Sequence, residues 1–187
     1  MNINRDEIAR LTEEYGEAWG INHTRRLLNL IGIIGEGQTY NEDVVWVAAH
    51  LHDWGGYSPW AQEGVDHAVR SGQVAETFLA EHGYPQDFIA LVLEVIECHH
   101  NCDAGRSIEA KLLYDADALD FLGVVGVLRD FSKNARDLKK AYDISKKRRA
   151  KLPDTLLLAE SKEIAARRIQ QMDELYAAFE ADSFGCF

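Results

Sequence analysis

Two cysteines and two histidines stand within the six residues ECHHNC, at positions 97–102. Thiolate sulfur and imidazole nitrogen are the usual protein ligands of zinc, so this segment could contribute to a structural zinc site. Such a site needs four ligands and usually joins two separate pairs, whereas the third cysteine, Cys186, stands alone. We therefore expect the two histidines, rather than Cys98 and Cys102, to belong to a larger site.

Most histidines of this chain lie beside an acidic residue or beside each other, near the ends of predicted helices. Two histidines have a simpler interpretation, His50 as a helix-surface residue and His82 as a helix cap. Imidazole nitrogen combined with carboxylate oxygen suits Mn, Fe, Co, Ni or Zn in an open site with room for water. The remaining candidates are His23, the pair His52 and Asp53, the pair Asp66 and His67, and the pair His99 and His100.

Adjacent residues point about 100° apart on a helix, so His52 and Asp53 can reach one ion only from a groove beside their helix. The remaining ligands must then come from neighbouring helices. We expect His23, at the start of one such helix, and the carboxylates of LLYDADALD, at 112–120, to supply them.

Apolar residues recur at helical spacing along nearly the whole chain, and the strict alternation typical of strands is absent. We therefore predict an all-α fold, with residues 1–187 forming a single domain. Its metal-site core spans about 20–131, and a C-terminal helical layer spans about 132–187. The predicted helices are 24–34, 41–53, 65–81, 85 to about 97, 108–131 and 155–179.

The net charge of −11 argues against general nucleic-acid binding, which requires a basic surface. Residues 129–151 are nevertheless basic, with ten Lys and Arg against three Asp. This segment is either a solvated helix face or a surface that attracts an anionic substrate. The sequence has no apolar run long enough to span a bilayer, and no apolar signal-peptide core near its start. Three cysteines, an odd number, are typical of a reducing compartment, so we expect a cytoplasmic protein without a membrane partner.

The ordered set of His and Asp residues resembles the HD-domain superfamily of metal-dependent phosphohydrolases. The motifs that carry the resemblance follow His23 and are AAHLHD at 48–53, VDHAVRSGQVAETFL at 65–79 and YDADALDFLG at 114–123. The resemblance covers roughly residues 23–129, and this ordered set is more specific than a lone HD dipeptide. It implies an HD-domain helical bundle with additional C-terminal helices.

The resemblance also implies a metal-ligand set, namely His23, His52, Asp53 and Asp117. Asp117 is preferred over Asp115 because the ligand aspartate of the family stands in an A-D-x-L context, here 116–119. Asp120 shares a helix face with Asp117 and could orient a ligand.

His67 and His99, together with His100, match positions that bind a second metal ion or face the substrate phosphate in related proteins. Many nucleotide-cleaving relatives place an acid a few residues after the HD dipeptide, where this chain has WGGY at 54–57. The acid or base is then a metal-bound hydroxide alone, or one of Asp66, His67 and His99.

The implied activity is hydrolysis of a phosphate ester or anhydride in a small phosphorylated molecule, with a nucleotide as the favoured class. The implied cofactor is one or two divalent transition-metal ions: Mn, Ni, Co, Fe or Zn. We predict Arg26 and Arg129 as phosphate contacts. The aromatic residues Trp54, Tyr57 and Trp60 either stack a nucleobase or form packed core.

Two alternatives to hydrolysis remain open. One is a di-iron oxygenase of the HD fold, and the other is a non-catalytic module that binds a nucleotide or metal. The sequence is compatible with either a monomer or a homodimer.

Overall fold

The computed structural model describes residues 3–187 of the chain. Over these residues it consists of α-helices and short 3-10 turns and contains no β-strand, which confirms the all-α prediction. The helices are α1 (Arg5–Ile34), α2 (Glu42–Leu51), α3 (His67–Glu81), α4 (Gln86–Cys98), α5 (Ile108–Asp120), α6 (Gly123–Lys133), α7 (Leu138–Lys151) and α8 (Ala159–Ser183). The 3-10 turns are Trp54–Gly56 and Leu152–Thr155.

The chain divides into two compact units. The first extends to Tyr114, and the second begins at Asp115 and extends to Phe187. The assignment of a single domain stays a prediction. Among the described residues, no helix has both the length and the apolar character needed to cross a bilayer.

In the first unit, α2 packs against α1 and α4, and α3 packs against α4 and the first 3-10 turn. Fully buried side chains such as Leu27, Leu51 and Ile96 form the core between these helices. Each contributes about 1.5–3 kcal/mol relative to an exposed position. The Asn41 side chain begins α2 by accepting hydrogen bonds from the N–H groups of Asp43 and Val44.

Helix α1 is longer than the sequence predicts, and it is interrupted at Glu17, where φ is 52°. His23 therefore lies within α1, and the prediction that it begins a helix is wrong. Gly16 and Gly20, within this helix, serve packing. The Tyr57 ring lies so close that a Cβ at Gly16 would be 2.7 Å from Cε2 and one at Gly20 would be 2.5 Å from the hydroxyl oxygen.

Two further helix boundaries differ from the prediction. Helix α2 ends at Leu51, so Asp53 lies beyond it, as the residue preceding the 3-10 turn. The predicted helix 108–131 is in fact two helices, α5 and α6, because Gly123 at the start of α6 has φ +84°. Arg168 of α8 packs at 3.2 Å from where a Gly123 Cβ would lie, and it donates to the carbonyl of Leu119.

The second unit is built by α6 packing against α7 and α8, and it contains much of the basic segment. The guanidinium groups of Arg129 and Arg148 both lie over the Phe121 ring, at 4.5 and 4.0 Å. Arg129 pairs with buried Asp120, and Arg148 pairs with buried Asp130. These basic residues therefore have a structural role inside the unit, so the segment is not only a solvated face.

Candidate metal centre

Three side chains that could bind one metal ion converge in the first unit. His23 comes from α1, and His52 and Asp53 follow the end of α2. Their ligand atoms all lie within 4.8 Å of one another. Oδ2 of Asp53 is 3.4 Å from Nε2 of His52 and 3.8 Å from Nε2 of His23. The structure thus brings together three of the four residues predicted as ligands.

Backbone carbonyls orient two of the histidine rings. Nδ1 of His52 lies 2.9 Å from the carbonyl oxygen of Ala49, and Nδ1 of His99 contacts the carbonyl of Ile96. Because a carbonyl only accepts hydrogen bonds, Nδ1 must carry the proton, which leaves Nε2 of a neutral imidazole as the metal-ligating atom. The sequence does not show that Nδ1 carries the proton, because this depends on how each helix ends.

The electrostatics of the site keep Asp53 ionised. Burial by itself would raise the pKa of Asp53, but the charge and hydrogen bond of His52 lower it. The charges of His23 and His99 lower it further, so the pKa lies well below its usual range. Asp53 is therefore a carboxylate at neutral pH, as a metal ligand must be.

A second cluster of three histidines lies beside the first. His67 begins α3, whereas His99 and His100 follow α4, and their ligand atoms also lie within 4.8 Å of one another. Oδ1 of Asp53 is 3.6 Å from Nε2 of His67. Asp53 therefore directs one oxygen to the first cluster and the other oxygen to the second.

The two clusters differ in their access to solvent. In the first cluster His23 and His52 are each 1% exposed, whereas in the second the His67 side chain is 41% exposed. Asp66, another residue predicted as acid or base, is exposed and accepts hydrogen bonds from the N–H groups of Ala68 and Val69. The first of these hydrogen bonds lowers the pKa of Asp66 most strongly. Asp66 thus caps α3, and its catalytic role stays a prediction.

The three aspartates of α5 have different environments within the second unit. The buried Asp115 carboxylate accepts hydrogen bonds from the N–H groups of Leu157 and Leu158, just before α8. Asp120 is buried against Arg129. Asp117 is half-buried, and its role as a ligand stays a prediction.

The predicted phosphate contacts are Arg26 and Arg129. Arg26 is half-buried in α1, one turn after His23. Arg129 is 7% exposed and forms its ion pair with Asp120. Both phosphate contacts stay predictions.

His50 does not lie on a helix surface, and that interpretation is wrong. It is 4% exposed, and its Nδ1 lies 2.8 Å from the carbonyl of Trp46. Burial lowers the pKa of His50 to about 4, so it is a neutral core residue at pH 7. The sequence did not reveal this, because α2 is apolar on more than one face and is packed between α1 and α4.

The aromatic residues after Asp53 are largely packed core. Trp54 is fully buried, and its Nε1 donates to the hydroxyl of Thr12 at 3.0 Å. Tyr57 is buried as well, and Trp60 stacks on Trp54 with ring centroids 4.5 Å apart. For Trp54 and Tyr57, the structure therefore favours packing over base stacking.

Neither Cys98 nor Cys102 belongs to a metal-binding group of three or more side chains in the described part of the chain. Replacing both with Ser is therefore expected to leave the metal content of the folded protein unchanged. Elemental analysis of purified protein would check this. A fall in metal content would restore the zinc site that ECHHNC suggests.

Comparison with known proteins identifies the family. The HD domain model matches residues 20–122, more than half of the chain, and the chain belongs to this family. A search of curated proteins gave no match. Family membership supports a metal-dependent phosphohydrolase in general.

Solved structures share the fold over nearly the whole chain. A predicted HD superfamily hydrolase from an uncultured Thermotogales bacterium is 26% identical, with a TM-score of 0.69, over 95% of this chain and 91% of that chain. Bacillus subtilis YpgQ in complex with ADP is 24% identical, with a TM-score of 0.75, over 95% of this chain and 94% of that chain. An HD-superfamily hydrolase from Bacillus thuringiensis is 21% identical, with a TM-score of 0.72, over 98% of this chain and 97% of that chain.

Proposed function

We propose that this protein is a metal-dependent phosphohydrolase that cleaves a phosphate ester or anhydride of a nucleotide. The observation that carries the proposal is the position of Asp53, whose two oxygens face two separate groups of imidazoles. Family membership supports the hydrolytic class, and the site residues supply a donor set that suits such chemistry.

The donor set fits a divalent transition metal. Imidazole nitrogen and carboxylate oxygen suit Mn, Co, Ni, Fe or Zn, whereas Mg and Ca prefer oxygen ligands alone. We assign His23, His52 and Asp53 as ligands of a first ion. Asp117 is proposed as the fourth ligand because its sequence context resembles that of the family's ligand aspartate. His67, His99 and His100 hold a second ion or bind the substrate phosphate.

A bound ion would lower the pKa of water and neutralise phosphate oxygens during bond cleavage. The other roles in the reaction belong to side chains of the protein. Asp53 keeps its negative charge and lies within 4 Å of imidazoles of both clusters. Where the second cluster binds the substrate phosphate in place of an ion, His67, at the solvent-accessible side, contacts the phosphate and protonates the leaving oxygen. Buried His99 supplies an imidazole whose own orientation is set by the carbonyl of Ile96.

A nucleotide is the substrate class that we favour. Its support is the ADP complex of YpgQ, a protein with the same fold. Arg26 and Arg129 are the proposed phosphate contacts.

The test is release of phosphate and pyrophosphate from a panel of nucleotides and other phosphoesters. Metal-stripped protein would be assayed with each of Mn, Co, Ni, Fe and Zn. We expect release that requires an added metal and that disappears on renewed chelation. Metal uptake without turnover across the whole panel would contradict hydrolysis and favour a binding module.

The position of Asp53 between two histidine clusters also fits a di-iron site, so an oxygenase is the second candidate. It requires two iron ions, with both His67 and His99 involved. Binding of a single iron per chain after anaerobic reconstitution would exclude it, as would the absence of dioxygen uptake with every substrate of the panel.

A further inference from the structure

The 3-10 turn Trp54–Gly56 lies directly against the first turns of α3, backbone to backbone. A Cβ at Gly55 would collide with the N of Ser71, the carbonyl oxygen of His67 and the carbonyl carbon of Arg70, the last at 2.7 Å. All three atoms are helix backbone, which cannot move aside as a flexible side chain can. Only glycine therefore permits this approach.

A buried hydrogen bond joins the same two elements. The Gly55 N–H donates to the hydroxyl oxygen of Ser71 at 2.8 Å, and Ser71 is fully buried. The next contact along the loop is also with α3, because Nε of Arg70 donates to the carbonyl of Trp60 at 2.7 Å. The segment after Asp53 is thus attached to α3 at both of its ends.

These contacts lie beside the metal centre. Gly55 follows Asp53 by two residues, and Ser71 follows His67 by one helical turn, which places Ser71 and His67 on the same face of α3. The distance between Oδ1 of Asp53 and Nε2 of His67 is 3.6 Å. The Gly55–Ser71 contact therefore lies between the elements that carry these two side chains.

We propose that Gly55 and Ser71 are a positioning pair that sets the separation of Asp53 and His67, and with it the metal affinity of the second cluster. The first cluster depends on α1 and on the end of α2 instead. Loss of the pair should therefore weaken the second cluster selectively. This inference rests on the proposed function only in treating His67, His99 and His100 as a metal-binding group.

The experiment is a titration of the metal-free full-length protein with Co²⁺, followed by its visible absorption and by equilibrium binding. Ser71→Ala should leave the affinity for the first equivalent of Co²⁺ unchanged. It should weaken the affinity for the second equivalent roughly tenfold, as removal of an outer-shell partner typically does. The matched control is Thr77→Ala on the same helix. Its hydroxyl donates to the carbonyl of Gln73 within α3 and is exposed, so both equivalents should bind as in the wild type.

A second readout needs no metal. Hydrogen exchange of the Gly55 amide should become faster in Ser71→Ala and stay unchanged in Thr77→Ala, because only the first change removes its acceptor. Gly55→Ala should weaken the second equivalent further. Because the backbone collision in Gly55→Ala also threatens folding, Ser71→Ala decides the question.

Three outcomes would overturn the proposal: equal weakening of both equivalents in Ser71→Ala, no weakening of either, or a wild type that binds only one Co²⁺. Neither readout uses a substrate, so the proposed function is judged separately. The expected binding pattern without phosphoester turnover would refute hydrolysis and leave the positioning pair intact.

Discussion

Asp53→Ala is expected to lose most of the bound metal and, with it, the metal-dependent release of phosphate. The reason is that the Asp53 carboxylate lies within 4 Å of His23, His52 and His67. Changes to outer-shell partners alone cost about 10–100-fold in metal affinity, and removal of a ligand itself should cost at least as much. Equilibrium dialysis followed by elemental analysis would measure the loss.

The control for Asp53→Ala is Asp43→Ala. Asp43 is an exposed carboxylate at the start of α2 that pairs with Arg5 at 2.7 Å. Such a surface pair contributes about 0–1 kcal/mol, so metal content and activity should not change. Asp53→Ala protein that retains metal at wild-type stoichiometry would overturn the ligand assignment.

Gly20→Ala is expected to destabilise the protein, although alanine favours helices over glycine. The added methyl group would lie 2.5 Å from the hydroxyl oxygen of Tyr57 and 2.9 Å from its Cζ, inside packed core. Overpacking of this kind costs about 1–3 kcal/mol. For a chain of this length, each kcal/mol lowers Tm by roughly 2–4 °C in a thermal melt.

Gly32→Ala, on the same helix, is the matched control. Nothing lies within 4 Å of the position that its Cβ would take. The same chemical change should there raise stability by up to about 1 kcal/mol through helix propensity. If both variants gain stability, the packing of Tyr57 against Gly20 does not restrict α1.

Tyr57 also lies four residues after Asp53, so Gly20→Ala should weaken metal binding as well.

Much of the site could be predicted from sequence because its residues occur in a specific order beside recognisable helices. The residue types and their spacing indicated His23, His52, Asp53, His67 and His99, and the structure brings these residues together around Asp53. Their roles as ligands stay predictions. The helix ends were partly readable too: His82 and Pro85 flank the junction of α3 and α4 as expected.

Other features could not be read from local pattern. His50 and His52 stand two residues apart beside apolar neighbours, yet one is core and the other faces Asp53. Asp115 and Asp117 stand two residues apart on one helix, and no local pattern shows that the Asp115 carboxylate accepts hydrogen bonds from a segment about forty residues later. In the sequence, Gly16, Gly20 and Gly55 look like residues that end a helix or form a turn. Only their packing partners in the structure show why a side chain is excluded at these positions.

The sequence by itself indicated the helical class, the family and the residues proposed to carry the chemistry, because periodicity, residue type and order are local or linear properties. Only the tertiary structure decided that Asp53 divides its two oxygens between two histidine clusters and that Gly55 and Ser71 join the turn after Asp53 to α3. The physical reason is that these features depend on distances between atoms far apart in the chain, which are set when whole helices pack.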